Sequence, residues 1–295
     1  MKIHHLNCIS TCPLGGHLMD GRTPGVFTRA ALACHCLLLE TGDRLVLVDT
    51  GLGLRDVAQP RERLSAFFLA LLSPDLRAEM TAARQIPALD YAPQEVTDIV
   101  LTHLDFDHAG GLDDFPNATV HLRAMEHASA ARQRTWLDRQ RFRPRQWGSR
   151  DRWRTYDDAR TGRWMGFDAV SALHGLPPEI LLVHLPGHTH GHAGVAVRRG
   201  NDWLLLAGDA YFDAREMHAH PRCTPGLRFY QWMMEKDRRA RLHHRDRLRE
   251  LALGEPALTL FCSHDPGQFE ALAGRRLGEA LAGGRLGEPL RAGPL

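Results

Sequence analysis

The chain has 295 residues, 43% of them hydrophobic, and its 37 basic and 35 acidic side chains leave a formal net charge of +2. That length and composition suit one large globular domain or two small ones. The near-neutral balance removes any whole-protein electrostatic argument for nucleic acid or membrane surfaces as partners.

Residues 1–10 read as a first strand. They lack the continuous apolar core of a signal peptide, and no run approaches membrane-spanning length, so a cytoplasmic protein is expected. The six cysteines, Cys8, Cys12, Cys34, Cys36, Cys223 and Cys262, contain no Cys-x-x-Cys pair and do not form a secreted disulfide framework. Cys34 and Cys36 alternate inside a strand-like stretch and read as structural. Gly15-Gly-His-Leu-Met-Asp-Gly-Arg-Thr-Pro-Gly25 is a loop by its glycine content. Residues 33–40 and 44–49 form a hairpin turned at Thr41-Gly-Asp43, which delivers Asp49-Thr-Gly51 to a sheet edge. Residues 61–72 and 74–84 have helical composition, broken at Pro74, with Leu64, Phe67, Phe68 and Leu71 as a packing face.

The apolar run at 98–102 then leads into Leu101-Thr-His-Leu-Asp-Phe-Asp-His-Ala-Gly-Gly111. His103, Asp105, Asp107 and His108 stand within six positions at the end of a strand. Imidazole and carboxylate suit borderline divalent cations such as zinc, manganese and iron, and one cation rarely takes four ligands from so short a loop. Two adjacent metals follow, with His103 and Asp105 on one side and Asp107 and His108 on the other. Three later runs also end in metal-competent residues: His188 in Leu185-Pro-Gly-His-Thr-His-Gly-His192, Asp209 after 204–207, and His264 after 258–261.

Residues 119–122 read as a short strand. The following stretch, 123–165, is basic and interleaved with Trp136, Phe142, Trp147, Trp153, Tyr156 and Trp164. Three readings stand for it: a helical insertion with a solvated face, a nucleic-acid surface in which arginines and aromatics contact phosphates and bases, or a cap that attracts an anionic substrate. Strands are expected at 179–184, 193–198, 203–207 and 256–263, one charged helical segment at 227–253, and a loosely held tail at 283–295. There is no Walker loop and no Gly-x-Ser-x-Gly elbow.

On these residues the chain resembles the metallo-β-lactamase-fold hydrolases, whose first signature is His-x-His-x-Asp-His followed by a distant His, Asp and His. The resemblance implies an αββα four-layer sandwich over 1–282, of class α/β, with 123–165 as a helical insertion or cap. It also implies one metal held by His103, Asp105 and His188, a second held by Asp107, His108 and His264, and Asp209 bridging them. Asp49 would partner a metal-bound imidazole, and His192 would be structural, while His190 falls on a variable position. His17, Met19 and Phe27 lie in a loop of the kind that overhangs the metals in this family.

One departure stands out: Asp105 occupies the place of the family's second histidine. A carboxylate makes that half harder and more anionic, so manganese or iron compete with zinc as the expected metal. Phe261-Cys-Ser-His-Asp265 and the Ala-Gly-Gly after His108 look most like the lactonase branch. The resemblance therefore implies a small-molecule lactone or carboxylic ester attacked by a metal-held hydroxide. Asp107 would shuttle the proton, and Tyr211 would hydrogen-bond the oxyanion, although its spacing from Asp209 differs by one from that in acyl-homoserine lactonases. A phosphodiesterase or nuclease, a non-hydrolytic di-iron oxygenase and a metal-retaining sensor are the alternatives; nucleic acid and membrane partners are not favoured.

Overall fold

A computed structural model describes residues 1–149, 151–157 and 162–281. The expected tail at 283–295, and residues 150 and 158–161 of the basic stretch, lie outside the described residues. Two six-stranded sheets carry the fold. The first runs in the order β1 (Lys2–Asn7), β2 (His35–Thr41), β3 (Arg44–Val48), β4 (Val96–Val100), β5 (Thr119–Arg123) and β6 (Trp153–Tyr156). Its first three strands are antiparallel, and β3 to β6 are parallel. The second sheet follows the order β12 (Leu258–Phe261), β11 (Asp202–Leu206), β10 (Ala193–Arg199), β9 (Ile180–His184), β8 (Phe167–Ala172) and β7 (Gly162–Trp164). There only the β11–β12 pair is parallel.

Period-two alternation distributes each strand's side chains between two cores. Leu37, Leu39, Val46, Val48 and Val100 of the first sheet meet Ile180, Leu182, Val195, Leu204 and Phe261 of the second. Their neighbours Cys36, Leu38, Leu45, Leu47 and Ile99 face the other way, against Ala82, Ala83 and Ala130. On the far side of the second sheet, Val183, Ala196 and Leu205 pack with Leu248. Burial on both faces explains why the central strands read as near-continuous apolar runs. Each such side chain contributes roughly 1.5–3 kcal/mol of burial. Helices on both outer faces complete the αββα arrangement; the first four in chain order are α1 (His17–Asp20), α2 (Leu54–Ala58), α3 (Pro60–Arg63) and α4 (Ala66–Leu72).

Several elements differ from the sequence expectation. Among its described residues the stretch 123–165 is α-helical only at its start, in α6 (Ala124–Arg132) and α7 (Trp136–Arg141); after a 3-10 turn at Pro144–Gln146 it supplies β6 and β7, one edge strand for each sheet. Of its six aromatics, Phe142, Trp147 and Trp164 are buried, Trp153 and Tyr156 are half-buried and Trp136 is exposed, which leaves a single open ring where a nucleic-acid surface requires a row of them. Residues 74–84 form a single 3-10 turn (Ala78–Met80) and the start of the four-residue helix α5 (Ala82–Gln85), because Pro74 and Pro87 bracket a segment too short to propagate. The charged segment at 227–253 divides into α8 (Pro225–Met234) and α9 (Arg238–Gly254). At the break, Lys236 and Asp237 donate their backbone N–H groups to Gly187 O, which clamps the loop carrying His188.

Two glycine turns lock the ligand loop to the sheet. Thr50 N–H and Oγ1–H donate to His108 O at 2.8 Å each, and Gly111 N–H donates to Gly51 O at 3.1 Å. A Cβ on Gly110 would lie 2.5 Å from Asp56 Oδ2 and 2.7 Å from both Gly51 O and Phe106 O, so the turns approach as backbone on backbone. We expect Gly110→Ala to cost more than about 3 kcal/mol in urea denaturation, because two of the three obstructing atoms are main chain. A loss below about 1 kcal/mol would contradict this packing.

The same junction half-buries Asp114, whose Oδ2 accepts Leu54 N–H at 2.9 Å. Burial pushes its pKa up to about 6, against the pull of the Leu54 hydrogen bond and with the nearby Asp56 and Asp113 charges adding to the rise. A carboxyl raised in the folded state above its unfolded value near 3.8 stabilises most below that value and loses its contribution as pH climbs through about 6. Asp114→Asn should therefore flatten the fall in stability between those pH values, as followed by urea midpoints. An unchanged pH profile would contradict the burial of this carboxyl.

Candidate metal centre

All the candidate ligands follow strands of the two sheets and gather at one edge. Residues 102–108 follow β4, His188 follows β9, Asp209 follows β11 and His264 follows β12. Backbone bonds from Ala33 N–H to His264 O and from His35 N–H to Ser263 O stitch the two sheets together at that edge. One group comprises His103, Asp105, His188 and Asp209, and another comprises Asp107, His108 and His264; in each, one ligand atom per residue lies within 4.8 Å of the others. Asp209 reaches both groups, with Oδ2 3.3 Å from His188 Nε2 and Oδ1 3.3 Å from His108 Nε2 and 3.2 Å from His264 Nε2. None of the three aspartates is more than 5% exposed.

The donor chemistry fits divalent cations. His103 Nε2, His108 Nε2 and Asp209 Oδ1 are buried without a hydrogen-bond partner, although buried polar atoms are almost always paired. Lone pairs of this kind, pointed at one another, are what a cation satisfies.

Around them the other imidazole nitrogens of His103, His108 and His264 are held, that of His103 by Thr102 Oγ1 at 2.9 Å. His108 Nδ1 lies 2.8 Å from Asp49 Oδ2, and His264 Nδ1 lies 2.7 Å from Ala33 O. Asp49 is itself fixed by Thr102 N–H and Oγ1–H, at 2.8 and 2.7 Å. Such partners set ring orientation and raise ligand basicity. His192 has both nitrogens committed, Nδ1 to Leu185 O at 2.9 Å and Nε2 accepting Asp209 N–H at 2.9 Å, so it positions Asp209 and is no ligand. His190 is exposed.

Burial works against charging His108, yet the Asp209 and Asp49 carboxylates outweigh it and hold its pKa well above the usual value. Burial with the neighbouring His108 charge lowers His103 to about 4. Asp107 is pushed up by burial, opposed by His108 and His264.

Tyr211 is not where the sequence expectation put it. After β11 the chain turns through Gly208, at φ 55°, and strand alternation ends. Tyr211 packs among Leu205, Ala207, Leu248 and Cys262, and its hydroxyl pairs with Gln268. Phe212 takes the inward position instead, stacked on His264 with ring centroids 4.9 Å apart. Tyr230 of α8 packs on Phe212 at 5.7 Å, and burial together with the Asp107, Asp105 and Asp209 charges holds its hydroxyl protonated. His17 and Phe27 of the N-terminal loop are exposed, while Met19 packs on the apolar cluster around Phe212 and Tyr230.

Two further residues escaped the sequence reading. Arg141, fully buried at the end of α7, forks onto Asp105 with Nε 2.6 Å from Oδ1 and Nη2 2.5 Å from Oδ2. This guanidinium holds Asp105 well below the usual carboxylate range despite burial. Glu126 of α6 ties the two ligand loops together, accepting Leu104 N–H at 2.9 Å, Thr189 Oγ1–H at 2.6 Å and Gly191 N–H at 3.1 Å. The only sequence signal for Arg141 is arithmetic: a buried carboxylate in place of an imidazole calls for a cation from elsewhere.

The sequence profile of the Metallo-beta-lactamase superfamily matches residues 29–264. The chain belongs to that superfamily. It is 37% identical to a "probable metallo-hydrolase" of Mycobacterium tuberculosis, over 92% of this chain and 82% of that one. It is 24% identical to an N-acyl homoserine lactonase of Bacillus cereus, over 62% and 65% of the two chains. Among solved structures, an N-acyl homoserine lactone hydrolase with N-hexanoyl-L-homoserine bound at its catalytic metal centre superposes with a TM-score of 0.68, at 22% identity, over 92% of this chain and 95% of that one. This superfamily member has, among its described residues, no helix long and apolar enough to cross a membrane.

Because Glu126 satisfies three buried donors at once, Glu126→Ala should lower stability by roughly 3 kcal/mol or more in urea denaturation. A loss under about 1 kcal/mol would show that the two loops hold without it.

Proposed function

We propose that the chain is a dinuclear metal-dependent hydrolase acting on a lactone or related carboxylic ester of a small molecule. The observation that carries this reading is the convergence of seven buried imidazole and carboxylate side chains in two adjoining groups that share Asp209. In it, His103, Asp105 and His188 would hold one cation, Asp107, His108 and His264 the other, and Asp209 both. Two divalent cations so held, zinc in the first instance, supply a water acidified toward neutrality and a Lewis acid for the carbonyl oxygen.

The remaining work falls to the chain. Asp107 lies 3.9 Å from His264 Nε2, and its carboxylate takes no hydrogen bond from any described residue, which leaves it free to carry a proton from nucleophile to leaving group. Tyr230, protonated and close enough to the three aspartates to feel their charge, takes the oxyanion-donor role in place of Tyr211. Leu52, Phe68, Phe106, Phe212, Tyr230 and Met234 form one apolar cluster beside the centre, which favours an acyl chain over a phosphodiester and keeps bulk water out. The lactonases among its relatives and structural neighbours support the same substrate class.

The di-iron oxygenase alternative loses its motive. Arg141 cancels the extra negative charge that Asp105 brings, so this carboxylate gives no reason to prefer iron to zinc. The nuclease form of the phosphodiesterase alternative loses support, since Phe142, Trp147 and Trp164 are buried and Trp136 is the one exposed ring of the six aromatics in 123–165.

Zinc-loaded protein assayed on lactones, aryl esters, β-lactams and phosphodiesters should turn over the lactones or esters. Activity confined to phosphodiesters or β-lactams would overturn the assignment. On the preferred substrate, Asp107→Ala should abolish turnover while the thermal midpoint stays within a few degrees of wild type; near wild-type turnover would remove Asp107 from the mechanism. Tyr230→Phe should lower kcat on the order of 100-fold, with Tyr211→Phe leaving it unchanged. The reverse pattern would restore Tyr211 to the oxyanion role.

A further inference from the structure

The two halves of the centre are not chemically equal. In the half formed by Asp107, His108 and His264, no guanidinium or ammonium of the described residues pairs with a ligand, and His108 is backed by the Asp49 carboxylate. The half formed by His103, Asp105 and His188 contains Arg141. Its Nε and Nη2 engage both oxygens of Asp105, and Nη2 also lies 2.7 Å from His188 Nε2, the nitrogen through which that imidazole faces the group. Asp105 Oδ2 is in turn 3.0 Å from His188 Nε2 and 3.4 Å from His103 Nε2. One guanidinium nitrogen therefore competes for the lone pairs of two members of the group at once. It is also anchored, because Nη1 donates to Met234 O and the Arg141 backbone carbonyl accepts Phe106 N–H at 3.1 Å.

We propose that Arg141 makes metal binding sequential: the Asp107–His108–His264 half takes the first cation tightly, and the His103–Asp105–His188 half takes a second one much more weakly. A fixed positive charge at hydrogen-bond distance from two ligand atoms repels an incoming dication and must yield its Nη2 contacts before they coordinate. Even at the effective dielectric of a protein interior this weakens the second site by about 100-fold or more. Asp105 and Arg141 thus act as a matched pair. The carboxylate would strengthen the site were it alone, and the guanidinium reverses that effect. Arg141 is here a positioning residue, acting through Asp105 and His188.

The inference rests on the dinuclear reading given above, and the experiment separates the two. The full chain, stripped with a chelator, is titrated with Zn2+ against a competing chromophoric chelator. Wild type should bind two equivalents, the second at least about 100-fold more weakly. His264→Ala should remove the tight equivalent, and His188→Ala should remove only the weak one. Arg141→Met should narrow the ratio at least tenfold by tightening the second equivalent. Should that variant not fold, because it leaves Asp105 buried and unpaired, Asp105→His combined with Arg141→Met leaves no such charge and should bind two equivalents with affinities within about tenfold of each other. Two equal sites in wild type, a ratio unchanged in whichever of these two variants folds, or loss of the tight equivalent in His188→Ala would overturn the sequential proposal and leave the dinuclear reading intact. Binding of no zinc would overturn both.

Discussion

Three carboxylates and four imidazoles are buried against one another at a single sheet edge, and the rest of the molecule is arranged so that they can stay there. Desolvating several aspartates within a few ångströms is tolerated only when positive charge is supplied nearby. The protein itself supplies one such charge, on Arg141, and the lone pairs of His103, His108 and Asp209 that lack partners define where the remainder must come from. Metal binding and folding are coupled for that reason: cations that satisfy these groups add their binding energy to the folded state.

The surroundings work as a frame that prevents the ligands from relaxing apart. Asp49 and Thr102 fix His103 and His108 from behind, His192 fixes the backbone of Asp209, and Glu126 holds the loop of His103 to the loop of His188. The glycine contacts at Gly53 and Gly110 bring two turns to a separation that no side chain permits. The break between α8 and α9 does two jobs. It clamps Gly187, and it lets α8 present Tyr230 toward the centre on one side while Phe229 and Trp232 face outward on another.

Much of this arrangement is legible in the sequence because strands buried on both faces, parallel or not, leave long apolar runs, and His or Asp residues after such runs stand out. His103 to His108, His188, Asp209 and His264 all carry that signature. What is not legible depends on contacts between distant segments. Arg141 is one of many arginines in a stretch whose composition resembles a solvated face, and only its approach to Asp105, 36 positions earlier, gives it meaning. Tyr211 is placed at the centre by the resemblance to acyl-homoserine lactonases alone, and the turn at Gly208 carries its side chain away from it. Strands β6 to β8 are short and partly polar, with Arg154 and Thr155 exposed, so no hydrophobic period announces them.

The most direct test of the central claim is a crystal structure of the zinc-loaded protein with anomalous data collected at the zinc edge. The account predicts two anomalous peaks, one among Asp107, His108 and His264 and the other among His103, Asp105 and His188, with Asp209 touching both. Peaks elsewhere on the molecule, or none at this edge of the sheets, would contradict it.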